Sequence, residues 1–329
     1  IVLFLFVNQK KIDIFFDIKK FIYLFSIFYI LILLSLFFSI SFKDSFLPSF
    51  FYFRYFLFAL GIFYLLKKYS FMKEILFYSL TFTFLLIILD SLKQYFFLEN
   101  FFNYKINTLL NEHSNYITSF FNEEKKLGSY LVRLSPFFLS LGFYLNKKRT
   151  TSCLFIFIGI LIFYSSERTA LFLFLILLFS YFFITKHKLK FFLMAIFFIS
   201  ILVSLNDNFR YKYINYTLKQ LGFISTEWNQ NYNGIIRYYS KDHEDFSYTA
   251  LTIFRNNILN GSGIKTFYMA CNELKNGDYK EINTSFFKQR NNIIKCSTHP
   301  HSTYAQILSD TGIFTFIFIL LLFFKILTE

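Results

Sequence analysis

The residues best suited to chemistry lie in one polar stretch, Cys296-Ser-Thr-His-Pro-His-Ser-Thr-Tyr-Ala-Gln-Ile-Leu-Ser-Asp-Thr-Gly312, which runs straight into an apolar segment. Proline suits a first helical position, where its missing N–H costs nothing. Ser297, Thr298 and His299 offer a polar lead-in with cap oxygens, and Gly312 offers a stop, so the stretch predicts a short helix from Pro300. His301 then falls in the first turn, where the positive end of the helix dipole disfavours imidazolium. A neutral ring there can accept a proton, so the stretch is read as a helix that carries catalysis. Tyr304, Ile307 and Leu308 follow at helical spacing and would seat the helix on its neighbours. The competing reading is a polar loop whose two histidines do nothing. Neither histidine has an i, i+4 partner or a carboxylate set at ligand spacing, so no metal site is expected.

A second group of candidates consists of arginines inside or beside apolar runs. Ionisable side chains are expensive in lipid and are retained there for a reason. Arg54 is expected in the outer half of the second run, Arg133 about one turn inside the fourth, and Arg168 at the outer mouth of the sixth. Guanidinium is always charged and grips phosphate with two parallel N–H groups, which lysine cannot do. A lipid pyrophosphate at headgroup level fits such a set. The alternative is that the arginines snorkel to ordinary headgroups. Glu167 beside Arg168 either holds that side chain or is an exposed loop charge.

The elements that must position these groups are read from composition. With 329 residues that are 55% hydrophobic and 24% aromatic, including 54 Phe, the chain has more apolar surface than one soluble core can hide. The expected fold class is an all-α polytopic membrane protein. Apolar runs occur at 21–42, 46–66, 74–97, 128–145, 151–165, 169–184, 191–205 and 312–327, about eight spans for a bilayer that takes about 20 residues per crossing. The chain opens at Ile1 without Met and stops at Glu329 just after an apolar run, which reads as a piece of a longer protein.

Charge placement says more than the net charge of +14. Lys67, Lys68 and Lys73 form one basic turn, Lys147, Lys148 and Arg149 the next, and Lys186, Lys188 and Lys190 the third. All three share a side if each run crosses once, and the positive-inside rule makes that side cytoplasmic. The long polar segments 99–127 and 206–311 then lie outside. The expected organisation is a transmembrane bundle over 1–205, a large periplasmic loop with the catalytic helix over 206–311, and a further transmembrane helix from 312. In the external segment Trp228, Tyr238, Tyr239 and Tyr248 suit a small core, a carbohydrate-stacking surface or interfacial anchoring. Little hydrophobic periodicity is visible there. Cys271 and Cys296 make either a disulfide, with roughly 3 kcal/mol of stabilisation in the chain-entropy account, or two free thiols. Nothing points to nucleic acid.

Four blocks in this order resemble the bacterial O-antigen ligase/polymerase superfamily: Gly128-Ser-Tyr-Leu-Val-Arg133 with Pro136; Ser165-Ser-Glu-Arg-Thr-Ala170; Phe254-Arg-Asn-Asn-Ile-Leu-Asn-Gly-Ser-Gly-Ile-Lys-Thr-Phe267; and His299-Pro-His-Ser-Thr-Tyr304 through Asp310-Thr-Gly312. Ser302 stands where that superfamily often shows Asn, Asn257 where it often shows Pro, and Asp310 where Glu is commoner. The resemblance implies a GT-C-like, metal-independent membrane glycosyltransferase without cofactor. Its donor would be a polyprenyl-pyrophosphate-linked glycan and its acceptor lipid A core or another lipid-linked glycan. Arg133 and Arg168 would bind the pyrophosphate, and His301 would be the general base that activates an acceptor hydroxyl, with His299 as helper or alternate. A polymerase of the same superfamily, a lipid-linked-glycan transporter and a non-enzymatic scaffold are the rival functions. A transporter should show charges or broken helices at mid-membrane.

Overall fold

The computed structural model describes residues 13–106, 116–122, 124–184, 189–223, 240–277 and 293–328, and among them it is helical throughout, with an isolated bridge between Glu99 and Lys105 and no strand. Lys186 and Lys188 of the third basic turn, and Trp228, Tyr238 and Tyr239, lie outside the described residues. Three helices are long and apolar enough to cross a membrane, at Phe42–Lys68, Phe71–Phe97 and Thr303–Lys325. Shorter apolar helices cover Phe21–Phe37, Arg168–Phe182 and Ala195–Leu205. This is a membrane protein, and its chain divides into two compact units.

The unit Leu66–Lys219 holds α4 (Phe71–Phe97), α5 (Leu127–Tyr144), α6 (Lys148–Tyr164), α7 (Arg168–Ile184), α8 (Leu189–Leu205) and α9 (Asp207–Arg210). A π-helical turn (Tyr211–Asn215) joins α9 to α10 (Tyr216–Gln220). Phe77, Phe84, Phe138, Leu131, Ile158 and Ile162 form its core. Small residues let the helices close. A Cβ on Gly142 would meet the Thr151 side chain at 2.0 Å, and one on Gly159 would meet Phe174 at 2.4 Å. The segment after α4 is tied down by a polar knot. Buried Asp90 accepts from Asn100 Nδ2 (3.2 Å), Phe101 N (2.9 Å) and Ser119 Oγ (2.6 Å), while Gln94 Oε1 accepts from Thr118 N (3.0 Å) and Ser119 N (2.8 Å). A buried carboxylate is tolerable only with such donors.

The unit Ile1–Leu65 with Gln220–Glu329 holds α1 (Asp13–Phe37), α2 (Phe42–Phe50), α3 (Phe53–Lys68, up to Leu65), α11 (Lys241–Asn256), α12 (Phe267–Lys275) and α13 (Thr303–Thr328). Phe25 stacks on Phe56 at 4.1 Å, so α3 runs along α1. Pro48 lacks the N–H that a helix interior requires, and the chain kinks between α2 and α3. The Phe50 carbonyl at this kink accepts from Tyr29 OH at 2.6 Å.

The element that shapes this unit is a break in α13. Gly312 has φ 77° and ψ −173°, a conformation essentially restricted to glycine, and the helix resumes directly after it. Residues 258–263 cross at the break and satisfy it. Ser262 N donates to Ser309 O (2.8 Å), Gly263 N to Asp310 O (2.9 Å) and Ile313 N to Ile258 O (2.9 Å). Gly261-Ser-Gly263 is therefore more than a tight turn, since it is the hydrogen-bonding partner of the broken helix. A Cβ on Gly261 would meet the Asp310 carbonyl carbon at 2.3 Å, and one on Gly312 would meet Leu259 O at 2.2 Å.

Gly312→Ala is expected to be destabilising, because it adds backbone strain of about 1–2 kcal/mol to overpacking of about 1–3 kcal/mol. Purified protein in detergent should melt several degrees lower, and an unchanged melting curve would mean that the crossing relaxes at no cost.

Candidate functional site

The histidine loop is built from its anchors. Asp245 Oδ1 and Thr249 Oγ1 on α11 accept from Ile293 N (3.2 Å) and Lys295 N (3.0 Å), and Lys295 Nζ donates to Asp242 Oδ1 at 2.5 Å. Cys296 is disulfide-bonded to Cys271 on α12, Cα to Cα 5.5 Å. The loop leaves at α13, where Ser302 Oγ accepts from Ala305 N at 3.4 Å and Ser302 O from Gln306 N at 2.8 Å. Between these fixed ends lie Ser297 to His301, with His299 Nδ1 at 2.9 Å from Thr298 Oγ1.

The predicted start of the catalytic helix is corrected here. Helix α13 begins at Thr303, not at Pro300, and Ser302 is its cap. His301 precedes the helix with φ 54°. The serine hydroxyl supplies what the first N–H groups need, so the helix has no call on Pro300. His301 is exposed, its ring 4.3 Å from His299, 4.9 Å from buried Phe246 and 6.1 Å from His243. Partial desolvation, then His299 and His243, push its pKa below the ordinary 6.5. That direction favours the neutral ring, and its neighbours rather than a helical turn account for it. Tyr304 is also corrected: it points outward, and the well-buried face of the first part of α13 is polar, with Ser309, Asp310 and Thr311. Gln306 Nε2 donates to Asp310 Oδ2 at 3.3 Å, across one turn.

Arg54 lies on α3 of the same unit. It donates to Tyr55 OH at 3.0 Å with its guanidinium 4.9 Å from that ring, and Lys265 acts electrostatically on the same hydroxyl. Ser41 caps α2, accepting from Asp44 N at 3.5 Å, and Arg54 is the second residue of α3.

The arginines of the other unit sit on α5 and α7. Glu167, just before α7, accepts from Gly128 N (2.6 Å), Ser129 N (3.0 Å) and Ser129 Oγ (2.5 Å). It therefore closes the N-terminus of α5, where a carboxylate is favoured by both the unpaired N–H groups and the dipole. A Cβ on Gly128 would meet Ser165 Oγ at 2.5 Å and Ala170 Cβ at 3.0 Å, so α5 and α7 start together. The first two sequence blocks are one joint. Arg168 opens α7; its Nη1 donates to Thr217 Oγ1 at 3.0 Å and its guanidinium packs 4.8 Å from the Tyr216 ring. Arg133 is exposed on α5, about 7.5 Å along the helix from Gly128. Tyr213 donates to Phe163 O at 2.6 Å, and burial with the Glu167 charge pushes its pKa well up, so it stays a donor.

A family model described as O-antigen ligase matches residues 153–320, just over half of the chain, from α6 through the broken α13. The chain belongs to the O-antigen ligase family. Its activity is of the O-antigen ligase/polymerase type, and its substrates are lipid-linked glycans in a membrane setting. No curated protein and no solved structure matches it. The match takes in Arg168, the disulfide cysteines Cys271 and Cys296, His299, His301 and the crossing of Gly261-Ser-Gly263 with Gly312, while Arg54 and Arg133 precede it. Among the described residues, no group of three His, Cys, Asp or Glu is placed to hold a metal.

Sequence reasoning missed His243, which α11 brings to the histidine loop, and Asp90. Asp90 was legible as an acid inside an apolar run. His243 had no local signal, because only tertiary packing places it.

Glu167→Ala should lower stability by about 1–3 kcal/mol, since two backbone donors and one hydroxyl lose their acceptor. Thermal unfolding of the variant in detergent checks this, and a wild-type melting temperature would show that water replaces the carboxylate at no cost.

Proposed function

We propose that this O-antigen ligase family member is a metal-independent glycosyltransferase. It moves a glycan from a polyprenyl-pyrophosphate carrier to lipid A core at the outer face of the bacterial inner membrane. The observation that carries this reading is His301, an exposed ring kept neutral on a loop pinned at α11, α12 and α13. A neutral imidazole accepts the proton of the acceptor hydroxyl as its oxygen attacks the anomeric carbon. The bond from that carbon to the carrier pyrophosphate breaks, and the pyrophosphate leaves as an anion. Attack opposite the leaving group inverts the centre. A pyrophosphate leaving group needs positive charge more than it needs a protonating acid, and Arg168 and Arg133, with Arg54, supply that charge. His299 orients or substitutes for the base.

The topology behind this reading rests on the basic turns, which place residues 99–127 and 206–311 in the periplasm with about eight helices crossing the membrane.

His301→Ala should reduce transfer by about 10²–10⁴-fold while membrane insertion persists. The check is a gel of surface glycan from a deletion strain carrying the variant gene. Deletion that strands long glycan on the carrier and leaves naked lipid A core identifies a ligase; single repeat units on core identify a polymerase. Full complementation by His301→Ala would sink the catalytic reading. Because the working form of His301 is neutral and its pKa is lowered, transfer should persist as pH falls through 6.5 and fail only in more acidic medium. Arg168→Lys keeps the charge but loses the fork, and should cost roughly 10–100-fold in the same assay. Wild-type glycan from that variant would make Arg168 a point charge only.

A further inference from the structure

The sequence around His243 matches none of the four blocks, and the transfer step above does not use this residue. Ser240 caps α11, and its hydroxyl oxygen accepts from His243 N at 3.4 Å. The same oxygen is 2.7 Å from His243 Nδ1. The hydroxyl thus holds both the backbone and the ring of His243, and the imidazole is fixed in orientation. It stands 6.1 Å from His301, on the same first turns of α11 that carry Phe246, whose ring packs 4.9 Å from His301.

The charges around this pair are largely accounted for. On α11, Asp242 is paired with Lys295 at 2.5 Å and Asp245 with Lys241 at 2.8 Å, and Glu244 is buried. From the loop come Lys295, whose Nζ lies 5.4 Å from the Phe246 ring, and His299, 4.3 Å from His301. From α13 the first charged group is Asp310, two turns into the helix. His243 is thus a group of variable charge beside His301, held by a dedicated hydroxyl.

We propose that His243 is a positioning residue for the general base, a third imidazole that holds His301 in the neutral form in which it meets an acceptor hydroxyl. This deepens the proposed function and rests on it for the role of His301. The physics is like-charge repulsion: a proton on His243 disfavours a second proton on His301 at this separation. His243, with His299, acts on His301 in this direction. The consequence is a base that keeps working when the medium turns mildly acidic.

The experiment reads the ring itself, so its result is separable from failure of the glycosyltransferase reading. The full chain in lipid nanodiscs is treated with diethyl pyrocarbonate, which modifies neutral imidazole, across a pH series, and modification of His301 is followed by peptide mass spectrometry. In His243→Gln the midpoint for His301 should move to higher pH than in the unmodified sequence. In His243→Lys, where the charge is permanent, it should move to lower pH. His243 is exposed, so both variants are compatible with the fold. Midpoints that coincide in all three proteins, or that move the same way in both variants, would overturn the proposal, because a merely structural role gives no reversal of sign. With His301→Ala inactive in the glycan assay and no reversal here, the base stands and His243 falls.

Discussion

A helix that breaks where its residues are buried leaves carbonyl and amide groups without helical partners, and the unit carrying the histidines is arranged around that constraint. Residues 258–263 supply the missing partners for α13 at Ser309, Asp310 and Ile313. Two chains approaching this closely tolerate no side chain at the contact, which is why glycine stands at 261 and 312. The crossing also reaches the turn between α1 and α2, since Ile40 N donates to Ser262 O at 3.0 Å and a Cβ on Gly263 would meet Ser39 Oγ at 2.0 Å. The position of α13, and with it the end of the histidine loop at Ser302, is set by backbone pairing rather than by apolar packing.

Much of this was legible in the sequence, and the exceptions share a cause. Hydropathy marks the runs that become α4 to α8 within a few residues, because long apolar stretches need no tertiary information. It fails where polar residues are buried. The inner face of α11 mixes Asp245, Thr249 and Thr252 with Phe246, Ala250 and Ile253, and that of α13 includes Ser309 to Thr311, so polar residues dilute the apolar pattern of both. Hence 206–311 reads as aperiodic although it contains two sound helices, and Tyr304 was assigned inward. The start of α13 was misplaced by the competition between Pro300 and Ser302 for the role of first residue. Capping decides it, and two serines, a threonine and a proline in six residues do not reveal which oxygen faces an amide.

The site was legible in kind rather than in geometry. Glu167 beside Arg168 suggested an ion pair or an idle charge. It does neither of those as its main task; it caps α5, reaching across 39 residues to Gly128. That contact explains why two separated blocks of small and polar residues occur in one chain. Gly128 admits the close approach and Glu167 fastens it, so that Arg133 and Arg168 are carried by helices that start at one joint.

The same bookkeeping of hydrogen bonds bears on which group can act as base. Asp90 is held by Asn100, Phe101 and Ser119, and Glu167 by Gly128 and Ser129. Asp245 and Asp242 accept from Ile293, Lys241 and Lys295, and Asp310 accepts from Gln306 and Ser309. Each of these five carboxylates serves a helix end, a loop anchor or a buried turn, and moving any of them toward a substrate would strand its donors. Imidazole has no such obligation here. His299 and His243 use one nitrogen each on a neighbouring hydroxyl, and His301 rests by its ring on Phe246. These carboxylates hold in place the helices and the loop that carry the arginines and the histidines.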